Sequence, residues 1–266
     1  MVRSRSESVL ARRIDGTSSG RRPDAVIVEE PLAIWLDDVQ VSSTMRTPGH
    51  DFELAAGFLF GEGALDGAPV TGIRYCRTAA PTDSDFNVVS VETGGKAPIP
   101  TPRLGSTTSS CGLCGSEAIA ELTERVGLLA RYEPWDLDVL RTAPEALLDS
   151  QPLFDATGGV HAAAAIDRAG APVLVREDIG RHNAVDKVVG RLLLDDSLPA
   201  GDLALVVSGR GSFEMVQKAW AAGFSALVAV SAPSALAVAT ARRAGLTLVG
   251  FARGGAANVY SPDHLI

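Results

Sequence analysis

Cys111 and Cys114 are separated by Gly112-Leu113, with Ser106-Thr107-Thr108-Ser109-Ser110 before them and Gly115-Ser116 after. Two thiols at this spacing can close a disulfide, supply half of a metal site, or carry sulfur as a persulfide. Glycine and hydroxyl neighbours fit a mobile, exposed loop. A helix expected from residue 117, with Ser116 as N-cap, would turn its positive end toward the thiols and favour thiolate. Pattern alone leaves the three chemistries open, beside the plain alternative of incidental cysteines. A structural zinc needs two further ligands, for which Cys76, His50, His161 and His182 are the candidates, but no second paired motif exists. A thioredoxin-like site would sit between a strand and a helix near the start of its domain, whereas this motif follows a polar run. Cys76 ends an apolar strand and reads as a buried core thiol.

Three more polar clusters stand where a strand should hand over to a turn. The first is Arg176-Glu177-Asp178-Ile179-Gly180-Arg181-His182-Asn183-Ala184-Val185-Asp186-Lys187. Open α/β sheets place ligand groups at the carboxyl ends of strands, which makes His182 and Asn183 binding candidates. The plainer reading is a solvated helix start capped by Asn183. The second is Ser208-Gly209-Arg210, where the backbone can approach a ligand and Arg210 can pair with a phosphate. It is not a Walker loop, because no GK[ST] follows. The third is Phe251-Ala252-Arg253-Gly254-Gly255-Ala256, with backbone N–H groups and a guanidinium for an anion and Phe251 or Tyr260 for stacking on a base. Three such strand ends on one sheet imply a composite site for a phosphorylated, nucleotide-containing ligand. His161, at the start of an apolar stretch, reads as a core histidine with one hydrogen bond.

The elements that must hold these groups follow from periodicity. Strands are expected over residues 25–28, 32–39, 73–76 and 87–91, with a helix over 52–61 opened by Asp51, and a Gly/Pro-rich linker over 94–105. A helix over 117–126 follows. Later strands are expected over 160–166, 172–175, 203–207, 226–230 and 246–251, interleaved with helices over 213–222 and 234–243. Val185, Val188, Val189, Leu192 and Leu193 form one more helical face. Alternating strands and helices imply a mostly parallel sheet covered on both faces. The division reads as a flexible arm over 1–22, an α+β region over 23–105, a mobile CxxC loop over 106–116 and an α/β domain over 117–266.

Composition excludes several classes. The 266 residues carry a net charge of −8, which argues against nonspecific nucleic-acid binding or an anionic membrane surface. With 46% hydrophobic residues and a mean hydropathy of +0.15, global disorder is excluded. Three cysteines make no disulfide scaffold, and with no signal peptide they point to a reducing cytoplasm. The polar first 22 residues hold six arginines and read as a loosely docked arm. Residues 219–241 are uncharged and long enough to span a bilayer, but Ser225, Ser231, Pro233, Ser234 and Thr240 break them into strand, turn and helix.

In combination and order the blocks resemble the FdhD family of formate dehydrogenase accessory sulfurtransferases. The residues that carry the resemblance are Ser110 to Gly115, Thr157-Gly158-Gly159-Val160-His161-Ala162-Ala163, Glu177 to Lys187, Ser208-Gly209-Arg210 and Gly250 to Gly254, with Gly57-Phe58-Leu59-Phe60-Gly61-Glu62-Gly63. The resemblance implies a persulfide on Cys111, taken from a cysteine desulfurase, with Cys114 assisting. It implies delivery of that sulfur to the bis(molybdopterin guanine dinucleotide) molybdenum cofactor, held as substrate, for formate dehydrogenase. It implies a cofactor-binding stretch at Phe251, Ala252, Arg253, Gly254, Gly255 and Ala256, a homodimer, and a C-terminal three-layer α/β/α domain similar to cytidine deaminases. Deaminating zinc chemistry is not expected, since Ala162-Ala163 follow His161 where a deaminase needs its Glu, and no PCxxC follows. The competing classes are a thiol-disulfide oxidoreductase and a zinc-stabilised cofactor-binding chaperone.

Overall fold

The computed structural model describes residues 3–75, 85–100 and 115–265. The chain opens with β1 (Ser6–Asp15) and β2 (Ser18–Ile27), an antiparallel hairpin turning at Gly16, where φ is +58°. The expected flexible arm thus carries regular strand pairing, with Arg12 directly opposite Arg21 and most side chains exposed. A two-stranded ribbon satisfies its backbone through the ladder, so a polar sequence can form it without an apolar period.

A four-stranded sheet follows. It consists of β3 (Glu30–Leu36), β4 (Val39–Arg46), β5 (Gly72–Tyr75) and β6 (Val88–Glu92), in the order β4-β3-β6-β5. The single strand expected over 32–39 is instead a hairpin that turns at Asp37, whose φ is +49°. Leu32, Ile34 and Leu36 alternate inward on β3 and meet Leu54, Ala55 and Leu59 of α1 (Asp51–Gly61).

The rest of the chain builds three layers. Its helices are α2 (Gly115–Val126), α3 (Leu137–Leu147), α4 (Pro152–Thr157), α5 (Arg181–Leu194), α6 (Phe213–Ala221) and α7 (Ala235–Ala244). Its strands are β7 (His161–Ile166), β8 (Pro172–Asp178), β9 (Ala204–Val207), β10 (Ala226–Ala229), β11 (Thr247–Arg253) and β12 (Ala256–Ser261). They form one sheet in the order β12-β11-β10-β9-β7-β8. Successive residues alternate between two cores. Leu205, Val207, Leu227 and Leu248 pack with α5, α6 and α7, while Ala204, Val206, Val228 and Val249 pack with Leu140, Ala143 and Leu147 of α3. The expected α/β class and the helices on both faces are present.

The sheet is mixed rather than mostly parallel. Only β9, β10 and β11 run parallel, and β7–β8, β7–β9 and β11–β12 are antiparallel. Short turns decide this: β11 passes to β12 through Gly254-Gly255, both at positive φ, and such a hairpin can only be antiparallel. Residues 219–241 are shared among α6, β10 and α7, and no helix among the described residues is long and apolar enough to cross a membrane.

The four-stranded and six-stranded sheets are locked together where α1 crosses α5. A Cβ on Gly57 would stand 1.9 Å from the Asp186 carbonyl oxygen, and one on Gly190 would stand 1.8 Å from that of Glu53. Only glycine allows backbones this close.

Candidate functional site

At the carboxyl ends of β9, β10 and β11 and the start of β7 lies a cavity of about 620 Å³. Its walls are largely apolar, with Leu147, Leu148, Phe154, Val160, Ile179 and Val230. Its polar groups include His161, Ser208, Gln151, Glu145 and Arg253. An apolar slot with a few directed polar groups suits a flat heterocycle carrying acceptors and a charged tail.

Ser208 is fixed from both sides. Its N–H donates to the Ala162 carbonyl at 3.0 Å, and its Oγ accepts from the Ala162 N–H at 3.0 Å. The same Oγ lies 3.4 Å from Nδ1 of His161. A Cβ on Gly209 would stand 3.7 Å from that Nδ1 and 3.8 Å from Cδ of Arg181, so this turn runs close over both side chains. Burial pushes the His161 imidazole below its ordinary pKa, and Arg181 and His182 beside it push it further. Asp178 opposes them weakly.

The third strand end is held by α3. Nη1 of Arg141 donates to the Gly255 carbonyl at 2.9 Å, and the Gly255 N–H donates to Oε1 of Glu145 at 2.9 Å. That N–H is therefore taken, contrary to the expectation that it could meet an anion. Ala252 and Gly254 line the cavity, and Arg253 reaches it as an exposed side chain. Phe251 is 37% exposed at a φ of +54° and is not among the lining residues. Ala256 and Arg210 are exposed and outside the lining too.

Most of the charged block from Arg176 to Lys187 goes into the framework. Glu177 accepts the N–H groups of Leu153 and Phe154 at 3.0 and 2.8 Å, tying β8 to the first turn of α4. Asp178 is fully buried against Lys187. Asn183 is buried, and its amide donates to the Met45 carbonyl at 2.8 Å and to Asp178 Oδ1 at 2.9 Å. It neither caps a solvated helix nor lines the cavity. His182 pairs with Glu214 of α6, also outside the lining. Arg181, half-buried beside His161, keeps its Nε buried without a hydrogen-bond partner among the described residues. The sequence reading thus placed Ser208, Ala252, Arg253 and Gly254 in one site, and the structure brings them together. His182 and Asn183 were expected there and go elsewhere.

Sequence reasoning missed the α3 and α4 wall and treated His161 as core. Leu137, Leu140, Leu147 and Leu148 carry a helical period, but Pro144 interrupts it. Cys76, Cys111 and Cys114 lie outside the described residues. Among the described residues no group of three or more His, Cys, Asp or Glu side chains could hold a metal ion. Helix α2 begins at Gly115, directly after Cys114, and buries Leu122 in the main core. Arg125 on its last turn donates to the Glu62 and Gly61 carbonyls at 2.8 and 3.1 Å, at the end of α1.

Residues 27–266 match the sequence model of the FdhD/NarQ family. The chain belongs to this family. It is 47% identical to the sulfur carrier protein FdhD of Streptomyces avermitilis, over 96% of this chain and 93% of that one. The sulfur carrier protein FdhD of Nocardia farcinica is 49% identical, over 97% of this chain and 95% of its own length. That of Mycobacterium tuberculosis is 45% identical, over 90% and 91% respectively. The fold is similar to a crystal structure of a proposed formate dehydrogenase accessory protein from Desulfotalea psychrophila. That likeness has a TM-score of 0.75 at 27% identity and covers 99% of this chain and all of the other. The residues matched by the FdhD/NarQ model span the four-stranded and the six-stranded sheets.

Proposed function

We propose that this FdhD/NarQ member is a sulfur carrier that takes persulfide sulfur from a cysteine desulfurase and passes it to the molybdenum of the bis(molybdopterin guanine dinucleotide) cofactor, for use by formate dehydrogenase. Cys111 accepts the sulfane sulfur as a thiolate. The Cys114 thiolate then attacks the Cys111 sulfur, a Cys111–Cys114 disulfide forms, and hydrosulfide leaves toward the cofactor. The two thiols are oxidised as the sulfane sulfur is reduced, and a thiol reductant resets the pair. The cofactor is substrate in this scheme. One of its guanine dinucleotide arms enters the cavity, with Arg253 at the rim for a phosphate and Ser208 and Gly254 along the wall. The resemblance behind this reading also implies a homodimer, and the sparse cysteines point to a reducing cytoplasm.

The observation that carries the reading is the convergence of Ser208, Ala252, Arg253 and Gly254 on one apolar cavity. Relatives sharing about half of this sequence are named sulfur carrier proteins, which supports the sulfur half. The test is activation of a sulfur-depleted formate dehydrogenase by purified protein, desulfurase and L-cysteine. Cys111→Ala should abolish activation while GDP binding stays unchanged. Activation by Cys111→Ala at the wild-type rate would overturn the reading.

A further inference from the structure

His161 is left unused by that reading, yet its ring stands in the cavity wall. Its tautomer determines what it offers there. Ser208 Oγ accepts the Ala162 N–H at 3.0 Å and lies 3.4 Å from Nδ1 of His161, a spacing at which its proton can go to Nδ1. Nδ1 that accepts leaves the imidazole proton on Nε2. The ring is pressed toward its neutral form by burial and by Arg181 and His182. Asp178, the carboxylate that opposes this, is paired with Lys187, and the nearby Glu214 and Glu177 are held by His182 and by the first turn of α4. Glu145, the carboxylate that lines the same cavity, accepts the Gly255 N–H at 2.9 Å through Oε1.

We infer that His161 is a specificity-determining residue of this cavity: its Nε2–H donates to an acceptor atom, a ring nitrogen or carbonyl oxygen, of a heterocyclic base bound there, with Ser208 setting the tautomer. The inference rests on the nucleotide reading of the cavity. A buried donor that a ligand leaves unpaired costs binding, so the pair His161–Ser208 rejects flat apolar ligands that lack an acceptor.

The test is calorimetric titration of the full chain with GDP. His161→Ala should weaken binding by about tenfold or more, because a donor to a buried acceptor is lost. His161→Gln restores an N–H at a similar reach and should stay within about threefold of wild type. Ser208→Ala should fall between them. A ¹⁵N-edited spectrum of the side chain, assigned by its loss in His161→Gln, should show the proton on Nε2 and a shift of that signal when GDP is added. Equal affinity of wild type and His161→Ala, a folded His161→Gln that binds no better than His161→Ala, or a proton on Nδ1 would each overturn the role of His161 alone. Failure of the wild type to bind GDP would overturn the nucleotide reading and this inference with it.

Discussion

Nζ of Lys187 stands 2.6 Å from Oδ2 of Asp178, and both side chains are fully buried. The pair joins α5 to the end of β8, and the groups around it extend the joint to the first sheet. Lys187 also donates to the Thr47 carbonyl at 3.0 Å, and Asp178 accepts the N–H of Thr47 at 3.1 Å and of Gly180 at 2.8 Å. Burial lowers the Lys187 pKa, and Asp178 opposes that shift. Breaking such a pair from one side leaves a stranded charge. Lys187→Met or Asp178→Asn should therefore destabilise the fold by about 3–5 kcal/mol, read from the denaturant midpoint. The double variant should be milder than the sum. A single variant within about 0.5 kcal/mol of wild type would contradict this role.

Glu53 and Arg176 make the second bridge between the sheets, with carboxylate oxygens 2.5 and 2.8 Å from Nε and Nη2. Burial pushes the Glu53 carboxyl up, but the bonds and charge of Arg176, with His50, outweigh it and hold the pKa at about 2. A depressed carboxylate contributes stability that is complete above its unfolded value of 4.5 and is lost as pH falls toward about 2. The denaturant midpoint should drop across that window. Glu53→Gln should lower the midpoint at pH 7 and flatten part of the acid slope. An unchanged slope in the variant would remove Glu53 from the account.

The cavity reading separates two arginines that looked equivalent in sequence. Arg253 reaches the cavity, whereas Arg210 is exposed outside its lining. Arg253→Ala should weaken GDP binding by about 1–3 kcal/mol, the worth of a charge-assisted bond. Arg210→Ala should leave it within about twofold. The reverse order, measured by calorimetry, would move the phosphate site to the β9 turn.

At the α1–α5 crossing there is no room for even one methyl group. Gly57→Ala or Gly190→Ala should cost at least about 1–3 kcal/mol, because the helices must separate. A melting temperature equal to wild type would show that the crossing is looser than the geometry has it.

How much of this was legible in the sequence depended on whether the signal was local. Strands β7, β9, β10 and β11 are buried on both faces and read as continuous apolar runs, so they stood out. The Ser208 and Arg253 turns were found because glycine marks strand ends. Helix α3 was hidden by Pro144, and the β1–β2 ribbon has no apolar face to betray it. Asn183 lies away from the cavity for a different reason. Its partners Met45 and Asp178 come from two sheets, a tertiary fact that no local pattern carries. The same holds for His161, whose neighbour Ser208 lies 47 residues away in sequence.

The central claim is that Cys111 carries sulfur, and intact mass tests it most directly. The protein would be incubated with a cysteine desulfurase and L-cysteine and weighed without reductant. The account predicts a gain of one sulfur, about 32 Da, that reductant removes and Cys111→Ala does not acquire. No gain on the wild type, with the desulfurase shown active on another acceptor, or an equal gain on Cys111→Ala, would contradict it.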